Sequence, residues 1–281
     1  YRSAGGVVRS YWRRDEPSAA RLEVVSMAGE VLRTFTPEVE GEERDRWSGA
    51  ALPVEPGLNM LRWDLSADGW TGFPRMVLWG VRTNTPTLPP GTYTLRLTVD
   101  GSTETSSITI EPHPWIHDVT AADMRAQFDF AMEIRDRVED ANQAVIAIRR
   151  MRTQVIERTA ASDDARLRER LHALMTAAGE VEANIYQVRN RSGQDPLNFP
   201  IKVNNRLANL LSMVEQGDGA PNDGMREVFR IMSERLDGYL EALDAVWYGE
   251  LEAANERLRE LGMDPLDPFD PDTEIWAPEG M

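Results

Sequence analysis

The sequence predicts an α+β chain of two domains, an N-terminal antiparallel β-sandwich followed by an elongated antiparallel four-helix bundle. Three observations predict it. Six of the eight tryptophans and most β-branched runs lie in the first 115 of the 281 residues. Short stretches there alternate apolar and polar residues, the period of half-buried strands. Beyond residue 118 the apolar residues recur at three and four, the period of amphipathic helices. The expected divisions are a β-domain over 1–112, a linker over 113–119, a bundle over 120–262 and a Pro/Asp-rich tail over 263–281.

Within the β half the clearest unit runs from Gly91 to Ile110. Tyr93, Leu95, Leu97 and Val99 alternate with Thr94, Arg96 and Thr98, and Asp100-Gly101 is a favoured two-residue hairpin turn because it needs positive φ. A second hairpin is expected over Leu22–Phe35, turning at Ala28-Gly29. Further strands are expected at Gly6–Trp12, Leu58–Leu65 and Met76–Val81. About seven short strands at this spacing indicate an immunoglobulin-like sandwich. Residues 37–57, rich in Glu, Pro and Gly, read as a long loop, as do 66–74 and 83–90.

The helical half opens at Thr120, an N-cap with Asp123 three residues on. Ala131, Ile134, Val138, Ala141, Val145, Ile148 and Val155 form a seam of about 35 residues, roughly 50 Å of helix at 1.5 Å per residue. Ser162-Asp163-Asp164 caps a second helix, with a seam from Leu167 to Val188 and an expected end at Ser192-Gly193. Ile201 to Val214 make a third, shorter helix. Asn222-Asp223 caps a fourth, whose seam runs Met225, Phe229, Met232, Leu236, Leu243, Val246, Ala254, Leu258 and Leu261, with Gly262 and Pro265 as the stop. Two long and two shorter helices predict an elongated, bracing rod. Repeated proline bars helix and strand from the tail, which is expected to run extended over a surface, anchored by Leu266, Phe269, Ile275 and Trp276.

Composition narrows the function classes. The chain carries 31 basic and 47 acidic residues, a net charge of −16. Residues 1–117 hold 12 basic and 15 acidic residues (−3), and 118–281 hold 19 and 32 (−13), so the helical half carries the acidity. That balance opposes nonspecific binding to nucleic acid or an anionic membrane surface. It reads as solvated helix faces, or as an acidic docking surface for a basic partner. Cysteine is absent, which excludes disulfides, thiolate catalysis and Cys-based metal sites. No apolar run approaches the length of a membrane span. The chain opens at Tyr1 with no signal-type apolar run, and is expected to be processed or part of a larger product.

No catalytic motif emerges: no nucleophile elbow, phosphate loop or dinucleotide fingerprint. The Glu42-Glu43 pair lies in a loop with nothing to frame it. His113-Pro-Trp-Ile-His117 has metal-like spacing, but Pro114 opposes the helix that such spacing needs, so no metal is expected. Asp264, Asp267, Asp270, Asp272 and Glu274 could attract calcium, but their spacing does not fit a calcium loop. No cofactor is expected. Asn190-Arg-Ser192 fits a glycosylation acceptor. Trp63 reads as a core strand residue. Trp70, Phe73 and Trp79, on or near a Gly/Pro-punctuated loop, together with Phe269 and Trp276 of the tail, are the candidate interaction residues. The competing reading has Trp70, Phe73 and Trp79 stacking on sugar rings as part of a carbohydrate-binding fragment.

Leu22–Phe35, Gly57–Leu65, Pro90–Gly101 and Phe199-Pro-Ile-Lys-Val-Asn-Asn-Arg-Leu207 together resemble the C-terminal Ig-like and helical region of bacterial sortilin-like proteins. These are BNR-repeat propellers often labelled glycosyl hydrolases. The resemblance covers nearly the whole chain, but the propeller repeats are absent. It therefore implies an extracytoplasmic location without inherited hydrolase activity. A tail module of this kind standing alone implies recruitment for binding protein subunits, at the periplasmic or extracellular face and peripheral to the membrane. One such role is a membrane-extrinsic subunit of a photosynthetic reaction centre–antenna complex.

Overall fold

A computed structural model describes residues 7–13, 17–39, 47–115 and 117–278. The Glu42-Glu43 pair, Ile116 of the two-histidine segment and the last three residues fall outside that set. Among the described residues the chain is α+β, with two antiparallel sheets and five α-helices. It forms two compact units. One comprises the residues up to Trp70, Thr83–Arg135 and Leu211–Asp223. The other comprises Thr71–Arg82, Asp136–Leu210 and the residues from Gly224 on.

The described residues of the first unit hold six strands: β1 (Val7–Arg13), β2 (Ala20–Val25), β3 (Val31–Phe35), β4 (Gly57–Trp63), β5 (Gly91–Val99) and β6 (Ser102–Ile110). β1 pairs with β4, and the larger sheet has the order β3-β2-β5-β6. The β5–β6 turn is the expected one. Val99 pairs with Ser102, and Asp100 and Gly101 sit at φ 47° and 83°, the positive values a two-residue turn of this type requires. Asp100 has a second use: its carboxylate accepts from the Ser18 and Ala19 amides and the Ser18 hydroxyl, tying the entry of β2 to the turn. Glu23 and Arg96 are direct cross-strand partners joined at 2.8 Å.

The inward residues of both sheets build one core: Leu22, Val24, Leu32 and Phe35 from the first hairpin, Leu61 and Trp63 from β4, and Tyr93, Leu95, Ile108 and Ile110 from the second. Trp63 is core, as its alternation predicts, and its indole N–H donates to the Ser66 carbonyl at 2.9 Å. Phe128, from the first turns of α1 (Ala121–Ala161), completes this core. The start of α1 is the expected capping box. The Asp123 amide donates to the Thr120 hydroxyl, and the Asp123 carboxylate accepts from the Thr120 amide.

One strand expectation is corrected. Met76–Val81 is not a strand, so the described residues contain six strands where about seven were expected. Arg75 and Gly80 take positive φ, which interrupts an extended run. The amides that would feed a ladder bond side chains: Val77 donates to the Tyr186 hydroxyl and Trp79 to the Asn205 carbonyl oxygen.

In the second unit α1 continues and turns back into α2 (Ala165–Ile185), capped at Asp164 as expected, whose carboxylate accepts from the Leu167 amide at 2.7 Å. The two helices are antiparallel and joined by a buried ion pair. Arg149 Nε lies 2.8 Å from Glu182 Oε1, both side chains at most 3% exposed, and Arg152 reaches the other oxygen at 3.0 Å. α2 ends at Ile185, before the expected stop at Ser192-Gly193. Tyr186 is already extended, its amide closing on the Glu182 carbonyl, and the chain then turns so that Gln187 bonds the Pro200 carbonyl. Asn190 is buried in this turn, so the glycosylation acceptor read from sequence is inaccessible.

α3 (Val203–Val214) follows, then α4 (Asp223–Val246), a π-helical turn (Trp247–Leu251) and α5 (Glu252–Glu260). Gly262, at φ 67°, ends the last helix as predicted. α4 runs in the direction of α1. Arg137 binds Asp237 and the Ser233 carbonyl near the start of the shared course, and the Asp140–Arg150 stretch then faces Leu240–Trp247. Arg257 of α5 closes on the α2 cap, Asp164, at 2.6 Å. No helix among the described residues is long and apolar enough to cross a membrane.

A candidate docking groove

Buried amide side chains hold the irregular segments of the second unit. Asn205 accepts from the Trp79 amide at 2.8 Å and donates to the Trp79 carbonyl at 2.9 Å. Asn255 does the same for Leu266 (2.7 and 3.0 Å), and Gln154 for Asp267 (2.8 and 2.6 Å). Each pair satisfies both polar groups of one peptide residue, as a neighbouring strand would. Asn204 and Asn142 extend the pattern to the Thr71 carbonyl. The Asn-Asn pair of the 199–207 segment is thus a holder of backbone.

The five candidate interaction residues do not form one surface. Trp70 is buried against Trp47, ring centroids 4.6 Å apart, and has no face free for a sugar or partner. Phe73 is buried, edge-on to Tyr186 and under the Arg149 guanidinium. Glycine and proline placed these rings in a loop, and that loop is folded inward. Trp79 is 38% exposed on a clamped backbone. Trp276 stacks under Arg152 at 4.4 Å. Phe269, 67% exposed, is the one that meets a concavity.

That concavity is an open groove of about 540 Å³ between α1, the end of α4 and the tail. Asp140, Gln143, Ala144, Ala147 and Arg150, spaced three and four apart, form the α1 side. Leu240, Leu243, Asp244 and Trp247 form the α4 side, and Pro268 with Phe269 closes one end. The small Ala144 and Ala147 side chains leave the space. Trp247, the first residue of the π turn, continues the α4 wall at three- and four-residue spacing from Leu240 and Leu243. Leu266, buried in the second amide clamp, fixes the tail path that presents Phe269.

The groove has electrical polarity. Asp140, paired with Arg137, lies at one end and Arg150 at the other. The Arg150 Nε is shielded from solvent and makes no hydrogen bond among the described residues. Asp270 stands beyond it. Its carboxyl is held below the ordinary range first by the Thr273 hydroxyl, then by the Asp272 amide, with the Arg150 charge contributing. Asp267 and Asp270 thus serve as turn caps, and among the described residues no three His, Asp or Glu side chains gather as a metal site. His113 accepts from the Trp115 amide.

Sequence reasoning missed Trp247 and Arg150. A signal for the first was present: Trp247 stands four residues after Leu243 and four before Leu251, on the apolar stripe of the helix itself. Arg150 carries no such signal, being one of three arginines, with Arg149 and Arg152, in four consecutive positions of α1. No protein-family model, curated protein or solved structure matches the chain.

Proposed function

We propose that the chain is a non-catalytic docking subunit that braces a larger membrane assembly from its periplasmic or extracellular face. A photosynthetic reaction centre–antenna complex is an assembly of the kind envisaged. The observation that carries this reading is the open groove, with an exposed Phe269 and a half-buried Trp247 on its walls; exposed aromatics beside a concavity are the anchors of interfaces. A second support is the use made of buried polar groups. Asn142, Gln154, Asn205 and Asn255, with the Arg149–Glu182 pair, are all spent on holding backbone and helices, which suits a rigid scaffold.

The resemblance to the C-terminal region of sortilin-like proteins belongs to this reading, and with it an Ig-like sandwich followed by a helical bundle. One detail favours the sandwich. The Tyr93 hydroxyl donates to the carbonyl of Pro89, four residues upstream, at 2.7 Å, the arrangement of the tyrosine corner in that fold.

The test is the state of the tagged full-length chain in native membranes of its source, solubilised in mild detergent and resolved by native electrophoresis. Co-migration with a membrane complex, lost on replacing Ala147 by Arg at the groove floor, is the expected result. Migration of the wild-type chain alone overturns the reading.

A further inference from the structure

The groove does more than mark a surface; its two walls specify the shape and direction of what fills it. This inference rests on the docking reading above. α1 and α4 run in the same direction here, as the Arg137–Asp237 pair and the facing 140–150 and 240–247 stretches require. Two such helices with small residues between them leave a channel along their common axis, the seat a further helix occupies by ridge-into-groove packing. The α1 side of the channel spans Asp140 to Arg150, eleven residues rising ~15 Å, about three helical turns.

The charges give the occupant an orientation. Residues 137 and 237 are partners at a sequence offset of 100, which places Asp244 level with Ala144. Both rim carboxylates therefore stand in the half of the channel nearer Asp140, where Arg137 is shared between Asp140 and Asp237 and leaves Asp244 without an ion pair among the described residues, and the guanidinium of Arg150, with Asp270 beyond it, stands at the opposite end. A helix presents unbonded N–H groups and positive partial charge at its first turn, and unbonded C=O groups and negative partial charge at its last. A helix lying parallel to α1 sets its first turn by Asp140 and Asp244 and its last carbonyls by the Arg150 donors. An antiparallel one reverses both interactions. The apolar walls, Leu240, Leu243, Trp247 and Phe269, call for an apolar stripe on the occupant.

We propose that the groove seats an amphipathic helical segment of a partner protein, parallel to α1, with a basic residue at its amino end and an uncharged last turn over Arg150.

The probe is a capped synthetic helical peptide of about 14 residues (~21 Å), with a Leu/Ala stripe, two lysines at the amino end and a neutral carboxyl end. It is compared with the same sequence reversed and with a version carrying glutamates for the lysines, all against the full-length chain by fluorescence anisotropy. The expected result is binding of the lysine-first peptide tenfold or more tighter than either control, weakened several-fold by Arg150→Gln and abolished by Ala147→Trp. A benzophenone on its last residue should label residues around Arg150 and Phe269, and one on its first residue those around Asp140. Equal binding of the reversed peptide, or crosslinks in the opposite order, overturns the proposal. If no peptide binds while the chain still co-migrates with its membrane complex, the helix proposal falls and the docking reading stands. If the peptide binds in the predicted direction and the chain migrates alone, the docking reading falls and the groove assignment stands.

Discussion

Replacing Glu182 by Gln tests how the helical unit is held together. Its carboxylate is 2% exposed and receives Arg149 at 2.8 Å and Arg152 at 3.0 Å. Arg149 also donates to the Pro74 carbonyl and stacks over Phe73 and Tyr186, so it cannot swing to water when its counter-ion is lost. The substitution thus strands a buried guanidinium, and breaking a buried pair from one side costs about 3–5 kcal/mol. Arg149→Met strands the carboxylate and should cost a similar amount, softened by Arg152. The double variant Arg149→Met/Glu182→Leu strands neither, and exchange of a buried pair for apolar groups is close to neutral, within about 2 kcal/mol. Urea unfolding followed by the helical circular dichroism signal reads all three. With a slope near 3 kcal/mol per molar for a chain of this size, each single variant should lower the midpoint by roughly 1 M or more. The reasoning is refuted if the single variants stay within about 1 kcal/mol of wild type, or if the double variant costs the sum of the two.

Three other substitutions have expected outcomes of their own. Asn205→Ala removes both partners of the Trp79 peptide and should cost about 2–6 kcal/mol, from roughly 1–3 for each polar group left unpaired; the midpoint of thermal unfolding checks it. Phe128→Ala empties part of the β core from the α1 side and should cost about 3–5 kcal/mol, read by the same thermal midpoint. Arg257, through its hydrogen bonds, and the Leu167 amide lower the Asp164 carboxyl to about 2 from its ordinary 3.8. Its contribution is therefore fully present above pH ~4 and lost as pH falls through ~2. Asp164→Asn should flatten the acid side of the stability profile in that window and leave the remainder of its shape unchanged.

Much of the architecture was legible because it depends on local rules. The Asp100-Gly101 turn, the Thr120 and Asp164 caps and the Gly262 stop each follow from what one or two residues tolerate, and all stand where expected. The site was less legible because it depends on which helix faces which. Nothing in the spacing of α1 says that Ala144 and Ala147 face α4, or that α4 runs with α1 and not against it. The inward folding of Trp70 and Phe73 was hidden for a related reason. A Gly/Pro-rich loop normally lies on the surface, since buried backbone lacks partners. Here the partners come from asparagines far along the chain, Asn84 for Trp70 and Asn142 for Thr71.

The amide clamps bear on how this sequence is free to drift. Asn205, Asn255 and Gln154 grip the backbone of Trp79, Leu266 and Asp267 and take no notice of their side chains. At Asp267 the clamp asks only for a free amide and rejects proline, which has no N–H to give, while the carboxylate has a separate task, accepting the Phe269 amide. Related chains should then keep the three amides while the letters of the tail change around them. Its path would outlast its composition.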